Sequence, residues 1–457
     1  MKPNIFILLL ITISLLSCNE KSNTERNDNE QQNYSFQQFS REELKQDLTY
    51  LFNKLDSTHY HLYHKHSKEE FEDKHNELIA GIKDSMNLFE FYYHTLPFYD
   101  KLEDAHSSMI FPFDYTKQFE NQGGKFIPLE VEIENGHIYI KKNHSQELIP
   151  LYSEIISIND VSGSEIIRSL SLLINNERKA SEDKYMSRFF DRILFPIYGF
   201  DKHYILQIKT PNGEQRSIEL PGVTSDTFHN EKEPFYSYYT IGDTIGVIDI
   251  NLCEGRDQFA SFCDSVFTVL QKNNTPHLII DVRDNGGGST FHGDTLFTYI
   301  TNKKFTQYGP VKMKFSPMVN MELDTIYFEE YDSQQENNYH SPNRFQGDVY
   351  MIANENSFSS AAMLAATFKC YNMGTLVGKE TGGVQIFFDE PIMMTMPNTG
   401  LRFLASYQYR WCACGKNSSI GVIPDYETTW ILRDKMNRID TEIELIKGLI
   451  KKQATIE

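Results

Sequence analysis

Three serines within four positions form the first group in the sequence that could supply a nucleophile. Ser357, Ser359 and Ser360 stand in the stretch A-N-E-N-S-F-S-S-A-A-M-L-A-A-T-F, residues 353–368. An apolar run precedes them and an Ala-, Met- and Leu-rich run follows, which predicts a strand, a polar turn and a helix. At such a junction a serine caps the helix, or it attacks a carbonyl beside the positive helix N-terminus. The pattern leaves both roles open.

A glycine-rich turn is the second group in the sequence that could take part in binding or catalysis. D-V-R-D-N-G-G-G-S, residues 281–289, continues the apolar run L-I-I-D-V. Three consecutive glycines expose backbone N–H groups, which suits an oxyanion, a phosphate or a tight turn without a ligand. The turn lacks a Gly-Lys-Ser/Thr ending and G-x-G-x-x-G spacing, which argues against nucleotide binding.

The histidines and cysteines offer a base and metal ligands, but no pattern among them is specific. A serine hydroxyl needs a base to take its proton, and the sequence has 14 histidines. Four of them, between positions 59 and 66, cluster in a polar loop that we expect to be solvated. Cys412-Ala-Cys414 has no second Cys/His pair at zinc spacing, so we expect structural or incidental cysteines, no metal and no cofactor.

The elements that must position these groups fall into three parts of different character. Residues 39–122 contain three helix starts, each with a Ser or Asn cap and a Glu three positions later. Residues 123–223 are dominated by short strand-like runs and N-G turns around one helix. From 224 to 457 strands and helices alternate, so the predicted fold class is α/β and multidomain, with a mixed sheet in the core.

The net charge limits the possible binding partners, and the N-terminal sequence indicates the cellular location. The net charge of −19 makes nucleic-acid binding by the whole surface unfavourable. The apolar run from Ile5 to Leu16 is short for a bilayer span and suits a signal peptide. L-L-S-C resembles a bacterial lipobox, which predicts a lipoprotein signal at 1–18 with lipidation of Cys18.

Residues 19–38 are polar and predict a flexible tether between this anchor and the folded part. The expected location is therefore the cell envelope outside the cytoplasm, facing the periplasm or the cell surface. The lipid would be the only contact with the membrane.

Four blocks resemble the tail-specific (C-terminal processing) serine peptidase family. D-V-R-D-N-G-G-G, N-E-N-S-F-S-S-A-A, T-L-V-G-K-E-T-G-G and G-V-I-P-D follow one another in the family's order across residues 281–425. S-E-I-I-S-I-N-D at 153–160 resembles part of a degenerate PDZ domain, the usual companion of this core. The resemblance implies an inserted PDZ-like module at 123–223, a peptidase core at 224–457 and a helical part of that core at 39–122.

The resemblance also implies roles for single residues. The family's nucleophile precedes the glycine of a V-V-G-like strand at a spacing that, counted back from Gly378, gives Ser359. The backbone N–H groups of Ser360 and Gly287 would then form the oxyanion hole, and Ser357 would cap or pack. Members with a Ser–Lys dyad carry a lysine where this chain has Val384.

The tricorn-like branch of the family instead uses a histidine from the segment before the PDZ module. L-E-D-A-H-S-S resembles the motif of this branch and makes His106 the implied base. An imidazole is largely neutral at neutral pH and can accept the serine proton. The acid of that branch has no counterpart here, so the group that orients the ring stays open between Asp104, Ser107, Ser108 and Glu427.

These observations predict a lipid-anchored serine peptidase that hydrolyses peptides or unfolded protein, with no nucleic-acid partner. Val384 and the missing acid motivate a second hypothesis, a non-catalytic peptide- or glycan-binding protein that keeps the peptidase fold. A third is an esterase or other acyl hydrolase, because oxyanion chemistry does not by itself distinguish esters from amides.

Overall fold

The structure is a computed structural model that describes most of the chain beyond the N-terminal segment. The described residues are 34–174, 182–228, 234–314, 330–331, 337, 341–429 and 431–456. The predicted signal peptide, Cys18 and most of the predicted tether lie outside them.

The N-terminal helices begin where the sequence predicts capping boxes. In α1, α2 and α3, the capping side chains of Ser40, Ser67 and Asn87 accept a hydrogen bond from the backbone N–H three residues later, and a glutamate returns the bond. The apolar faces of these helices bury leucine and phenylalanine side chains in one core cluster. The elements are β1 (Gln38–Ser40), α1 (Arg41–Thr58), α2 (Lys68–Gly81), β2 (Ser85–Asn87), α3 (Leu88–Tyr99) and α4 (Phe113–Asn121).

The next segment folds around a hydrophobic core of its own, formed by residues between Ile127 and Leu220. Its antiparallel sheet has the order β3-β4-β5-β7-β8, with β6 paired to β5. Helix α6 was not predicted, because its aromatic side chains and internal Pro196 obscure the helical period. The elements are β3 (Leu129–Glu134), β4 (His137–Asn143), β5 (Glu154–Ile158), β6 (Val161–Ser162), α5 (Gly163–Ser171), α6 (Glu182–Tyr198), β7 (His203–Lys209) and β8 (Gln215–Pro221).

The α/β core is built on a six-stranded sheet of order β18-β15-β14-β11-β10-β9. Five strands are parallel and β9 is antiparallel to β10, so the sheet is mixed. The elements are β9 (Tyr236–Ile241), β10 (Ile245–Ile250), α7 (Arg256–Lys272), β11 (His277–Asp281), α8 (Phe291–Phe297), β14 (Asp348–Ala353), α9 (Ser360–Cys370), β15 (Thr375–Gly378), β18 (Tyr426–Glu427), α10 (Leu432–Met436) and α11 (Thr441–Ile456).

A second, antiparallel sheet of order β13-β12-β17-β16 connects the core to the N-terminal helices. Side chains of β16 and β17 between Ile392 and Tyr407 belong to the same cluster as the helices. Residues 108–110 extend this sheet: Leu404 N–H donates to Ser108 O at 2.8 Å and Ile110 N–H donates to Arg402 O at 2.9 Å. The strands are β12 (Tyr308–Met313), β13 (Glu330–Tyr331), β16 (Ile386–Thr395) and β17 (Arg402–Cys412).

The predicted fold class is confirmed: the chain is α/β, with N-terminal helices, a β-rich segment and a core with a mixed sheet. The exact domain boundaries and the PDZ-like identity of the β-rich segment stay predictions. In the described ranges, no helix has the length and apolarity needed to span a bilayer.

A disulfide between Cys370 and Cys414 links the end of α9 to the residues after β17. The other described cysteines, Cys253, Cys263 and Cys412, are buried thiols. Cys412 and Cys414 therefore form neither a redox pair with each other nor half of a metal site. Across the described residues, no group of His, Cys, Asp and Glu is arranged to hold a metal ion.

The disulfide closes a loop with a sequence separation of 44 residues, so it should stabilise the fold mainly by restricting the unfolded chain. We expect Cys370→Ser and Cys414→Ser each to lower the free energy of unfolding by about 3 kcal/mol in urea titrations. The double variant should lose no more than either single variant, because each removes the same bond. Additive losses, or no loss at all, would contradict this role.

Candidate active site

The turn between β14 and α9 holds Ser359 in a strained backbone conformation. Its φ is +49° and its ψ is −123°, a region that L-residues with a side chain rarely adopt. The residue lies at the N-cap of α9, whose first nine residues are buried in the core. This helix carries four alanines, whose small side chains let it pack closely between its neighbours. Such strain at a strand-to-helix turn is typical of a presented nucleophile.

The three serines of the turn differ in what their hydroxyl groups contact. Ser357 is buried, donates to Val282 O at 2.7 Å and accepts from Asn354 N–H at 3.0 Å. Ser360 donates to Gly288 O. For Ser359, no side-chain hydrogen bond is found among the described residues. Two serines therefore fasten the turn, and only the third keeps a hydroxyl available for reaction.

Two glycines allow neighbouring loops to approach Ser359 closely. A Cβ atom on Gly287, which has a φ of +104°, would lie 2.7 Å from Ser359 Cβ and 3.0 Å from Ser360 N. A Cβ on Gly383 would lie 2.7 Å from Ala362 Cβ and 3.1 Å from Ser359 N. Contacts below 3.0 Å do not occur without displacement, so the glycine-rich turn can pack against the serine only without side chains.

The amides around Ser359 provide part of an anion site. Ser360 N–H is the first amide of α9 and finds no acceptor within the described chain, so it can donate to an oxyanion. Gly287 N–H, the other predicted donor, instead donates to Asn285 Oδ1 at 2.8 Å. Asn285 in turn donates to Ile250 O at 2.8 Å, which fixes its amide. The Gly287 amide is thus close to Ser359 but already bonded, a feature the motif did not reveal.

His106 lies beside the nucleophile turn. Its ring stacks with Phe358, the residue preceding Ser359, and with Phe387 of β16, at centroid distances of 4.6 and 5.4 Å. The side chain is 9% exposed, and neither ring nitrogen has a hydrogen-bond partner. No hydrogen bond joins the ring to Ser359, but catalytic hydrogen bonds are often long in unliganded enzymes and tighten with substrate. The His106 segment and the serine turn, which are far apart in sequence, therefore meet. The contact between them is the stacking of His106 on Phe358 and not a hydrogen bond to Ser359.

Asp104, one of the predicted orienting groups, fixes the backbone near His106 rather than its ring. Its carboxylate accepts from His106 N–H at 2.8 Å and pairs with His59 Nε2 at 3.1 Å. Burial raises the pKa of Asp104, but the hydrogen bond and charge of His59 outweigh it and hold the pKa at about 2. His59 is fully buried, so the expectation that this histidine cluster is solvated was wrong for its first member.

The other predicted orienting groups also lie away from the ring. Glu427 is exposed on β18, opposite Gly378 of β15, and has no ion pair or hydrogen bond with His106. Ser107 Oγ donates to Ser406 Oγ at 3.2 Å, and Ser108 contributes its carbonyl to β17. Both serines therefore attach the His106 segment to the antiparallel sheet.

The carboxylate nearest to the His106 ring belongs to Asp389, which the sequence analysis missed. Asp389 Oδ1 lies 3.9 Å from His106 Nε2, and its Oδ2 forms an ion pair with Arg410 Nε at 2.6 Å. Both charged residues are largely buried in the antiparallel sheet. The available signal was an aspartate and an arginine within otherwise apolar strands, F-F-D-E-P and S-Y-Q-Y-R-W.

The family's lysine position holds Val384 in this chain, and the nearby Lys379 is engaged in ion pairs. Val384 is 1% exposed, packs in the main core cluster and forms a bridge with Gly421. Lys379 is paired with Glu355 at 2.9 Å and lies 3.7 Å from Glu134.

A strained serine at a helix N-terminus, packed against a glycine-rich turn and beside an imidazole, defines the class of serine hydrolases that act on acyl groups. Residues 244–428 match the family model of peptidase family S41. This segment is therefore a serine peptidase domain of family S41, which confirms the predicted resemblance to the tail-specific peptidases.

Solved structures show the same fold at low sequence identity. Mature CPAF complexed with lactacystin has a TM-score of 0.64 and 15% identity over 91% of this chain and 99% of that chain. Mature CPAF has a TM-score of 0.61 and 15% identity over 87% of this chain and 94% of that chain. The S499A mutant of CPAF has a TM-score of 0.61 and 14% identity over 87% of this chain and 95% of that chain. No curated protein matches the chain.

Replacing each serine by alanine should show which hydroxyl group stabilises the fold and which one does not. We expect Ser357→Ala to lower the free energy of unfolding by ~1–3 kcal/mol, because it leaves buried backbone groups without partners. Ser359→Ala breaks no hydrogen bond of the described structure and should change stability by less than about 0.5 kcal/mol. Urea titration of both variants checks this difference. A larger loss in Ser359→Ala than in Ser357→Ala would contradict the assignment.

Proposed function

We propose that this protein hydrolyses peptide bonds with Ser359 as nucleophile and His106 as general base. The proposal rests on one juxtaposition: a strained serine with an available hydroxyl lies next to a buried imidazole whose ring nitrogens are both unsatisfied. Burying polar nitrogens without partners is costly, so a functional role is the natural explanation.

In the proposed reaction, Ser359 Oγ attacks the substrate carbonyl while His106 takes the hydroxyl proton. The Ser360 amide and an amide of the glycine run 286–288 stabilise the oxyanion of the tetrahedral intermediate. The imidazolium then protonates the leaving amine. His106 then takes a proton from water, which attacks the acyl-enzyme, and the imidazolium returns the proton to Ser359 Oγ as the acid product leaves. No step requires a metal ion or cofactor.

We assign the orientation of His106 to Asp389. The aromatic rings of Phe358 and Phe387 fix the plane of the imidazole, and the carboxylate of Asp389 faces Nε2. A carboxylate in this position stabilises the imidazolium that forms during attack. Arg410 holds Asp389 in place, so the carboxylate remains within the sheet.

The His106–Asp389 assignment predicts a specific pattern of kinetic effects. His106→Phe keeps the aromatic stack but removes the base, so kcat for an unstructured peptide should fall at least about 100-fold. Asp389→Asn should lower kcat at least about tenfold with little change in KM, because it acts on the transition state. Glu390→Gln is the matched control, since it removes the adjacent carboxylate, whose side chain is 56% exposed. Equal losses in Asp389→Asn and Glu390→Gln would refute the assignment.

We also propose that Cys18 is lipidated and holds the enzyme on a membrane outside the cytoplasm. The apolar run before L-L-S-C, the polar residues after it and the Cys370–Cys414 disulfide support this location, because disulfides persist in oxidising compartments. The expected substrate is an unfolded protein or peptide in the same compartment.

Anchoring is tested by Cys18→Ser, which removes the thiol that would carry the lipid. In cells fed an alkyne fatty acid, the wild-type protein should be labelled and should sediment with membranes. The Cys18→Ser protein should lose the label. Labelling that persists in this variant, or is absent from the wild type, would contradict lipidation of Cys18.

A further inference from the structure

A cavity of about 560 Å³ lies between the β-rich segment and the C-terminal part of the chain. Its walls come from β4, the loop around Leu151, the turn between β7 and β8, and the residues at the end of α10. A volume in this range is typical of a ligand pocket rather than a packing defect. We call it the basic cavity, because its charged lining has one sign.

Five cationic side chains line the basic cavity, and no aspartate or glutamate does: Lys141, Lys142, Arg216, Lys435 and Arg438. The whole chain carries a net charge of −19, so this local excess of positive charge opposes the average surface. A concave site lined by one sign of charge concentrates ligands of the opposite charge.

Three of the five cations form no ion pair with another described residue. Lys142 pairs with Glu130 at 3.3 Å and Arg216 pairs with Glu214 at 2.6 Å. For the other three, no carboxylate oxygen lies within the 4.0 Å of an ion pair in the described part of the chain. Lys141 attracts Asp284 and Lys435 attracts Asp440 at longer range, but no direct ion pair with a described residue neutralises these cations, so they can still attract an external anion.

The remaining lining is partly apolar. Leu151 and Met436 are 41% and 44% exposed, and two prolines, Pro150 and Pro211, lie beside them. A ligand that matches both features carries negative charge together with apolar groups. Acidic stretches of polypeptide that contain aliphatic side chains have this character.

The basic cavity is continuous with the side of the active site. A second cavity of about 320 Å³ shares Lys141, Tyr152 and Lys435 with it and extends to Asp284 and Asn354. Asp284 N–H donates to Asn354 Oδ1 at 3.0 Å, and these two residues begin the glycine-rich turn and the serine turn. The second cavity thus leads from the basic cavity towards the two turns of the active site. Its own lining mixes carboxylates with cations, so a neutral part of the substrate suits it better than an acidic one.

We infer that the basic cavity binds an acidic, aliphatic-containing stretch of the polypeptide substrate, away from the bond that is cleaved. This inference rests on the proposed peptidase function and adds a substrate class to it. Nucleic acids and anionic membranes need an extended basic surface, whereas these cations lie in one cavity of a strongly acidic protein.

The test uses peptides that differ only in a run of four glutamates or four glutamines, placed at either end of a cleavable neutral sequence. The wild type should show a higher kcat/KM for one of the glutamate peptides. In Lys435→Gln/Arg438→Gln, this preference should fall about fivefold through KM, as expected for the loss of two partly exposed charges. Lys451→Gln/Lys452→Gln, an equal charge change on the exposed end of α11, should keep it.

A binding measurement separates this inference from the catalytic proposal. The Ser359→Ala protein should bind a fluorescent glutamate peptide more tightly than the glutamine peptide, as seen by anisotropy. Lys435→Glu/Arg438→Glu in the same background should reverse the order. Equal binding of both peptides while hydrolysis proceeds would overturn the basic cavity but not the catalytic proposal. If the glutamate peptide binds selectively but the wild type hydrolyses no peptide, the catalytic proposal would be overturned and the basic cavity would stand.

Discussion

The site depends on a turn that is fastened on both sides of a strained serine. Ser357 and Ser360 donate their hydroxyl groups to carbonyls of the glycine-rich segment, at Val282 and Gly288, and so tie β14 and α9 to the loop after β11. The backbone strain at Ser359 persists because these bonds hold its neighbours. Of the three neighbouring serines, two therefore have a structural role, and only Ser359 has a hydroxyl group without a partner among the described residues.

His106, the proposed base, lies beside this turn because segments far apart in sequence pair with each other. The N-terminal helices pack on β16 and β17, and residues 108–110 bond to the edge of β17. Phe358 and Phe387 then stack with the His106 ring. The antiparallel sheet, rather than the six-stranded mixed sheet, thus positions His106. It also carries Asp389, whose carboxylate lies nearest to the imidazole.

Local signals in the sequence were sufficient to predict the capped helices and the serine turn, but not helix α6. The three capping boxes and the strand–turn–helix at the serines all fold as predicted, because each depends on contacts within a few residues. Asp389 could not be assigned, because its role arises from the register of β16 against β17 and from the docking of residues 108–110. The buried His59–Asp104 pair was missed for the same reason, since it joins residues 45 positions apart.

The account is tested most directly by identifying the residue that a fluorophosphonate modifies. Peptide mapping by mass spectrometry should locate the adduct on Ser359 in the wild-type protein, and the rate of adduct formation should fall sharply in His106→Phe. An adduct on Ser357 or Ser360, or an equal rate in His106→Phe, would contradict the claim that this imidazole activates this serine.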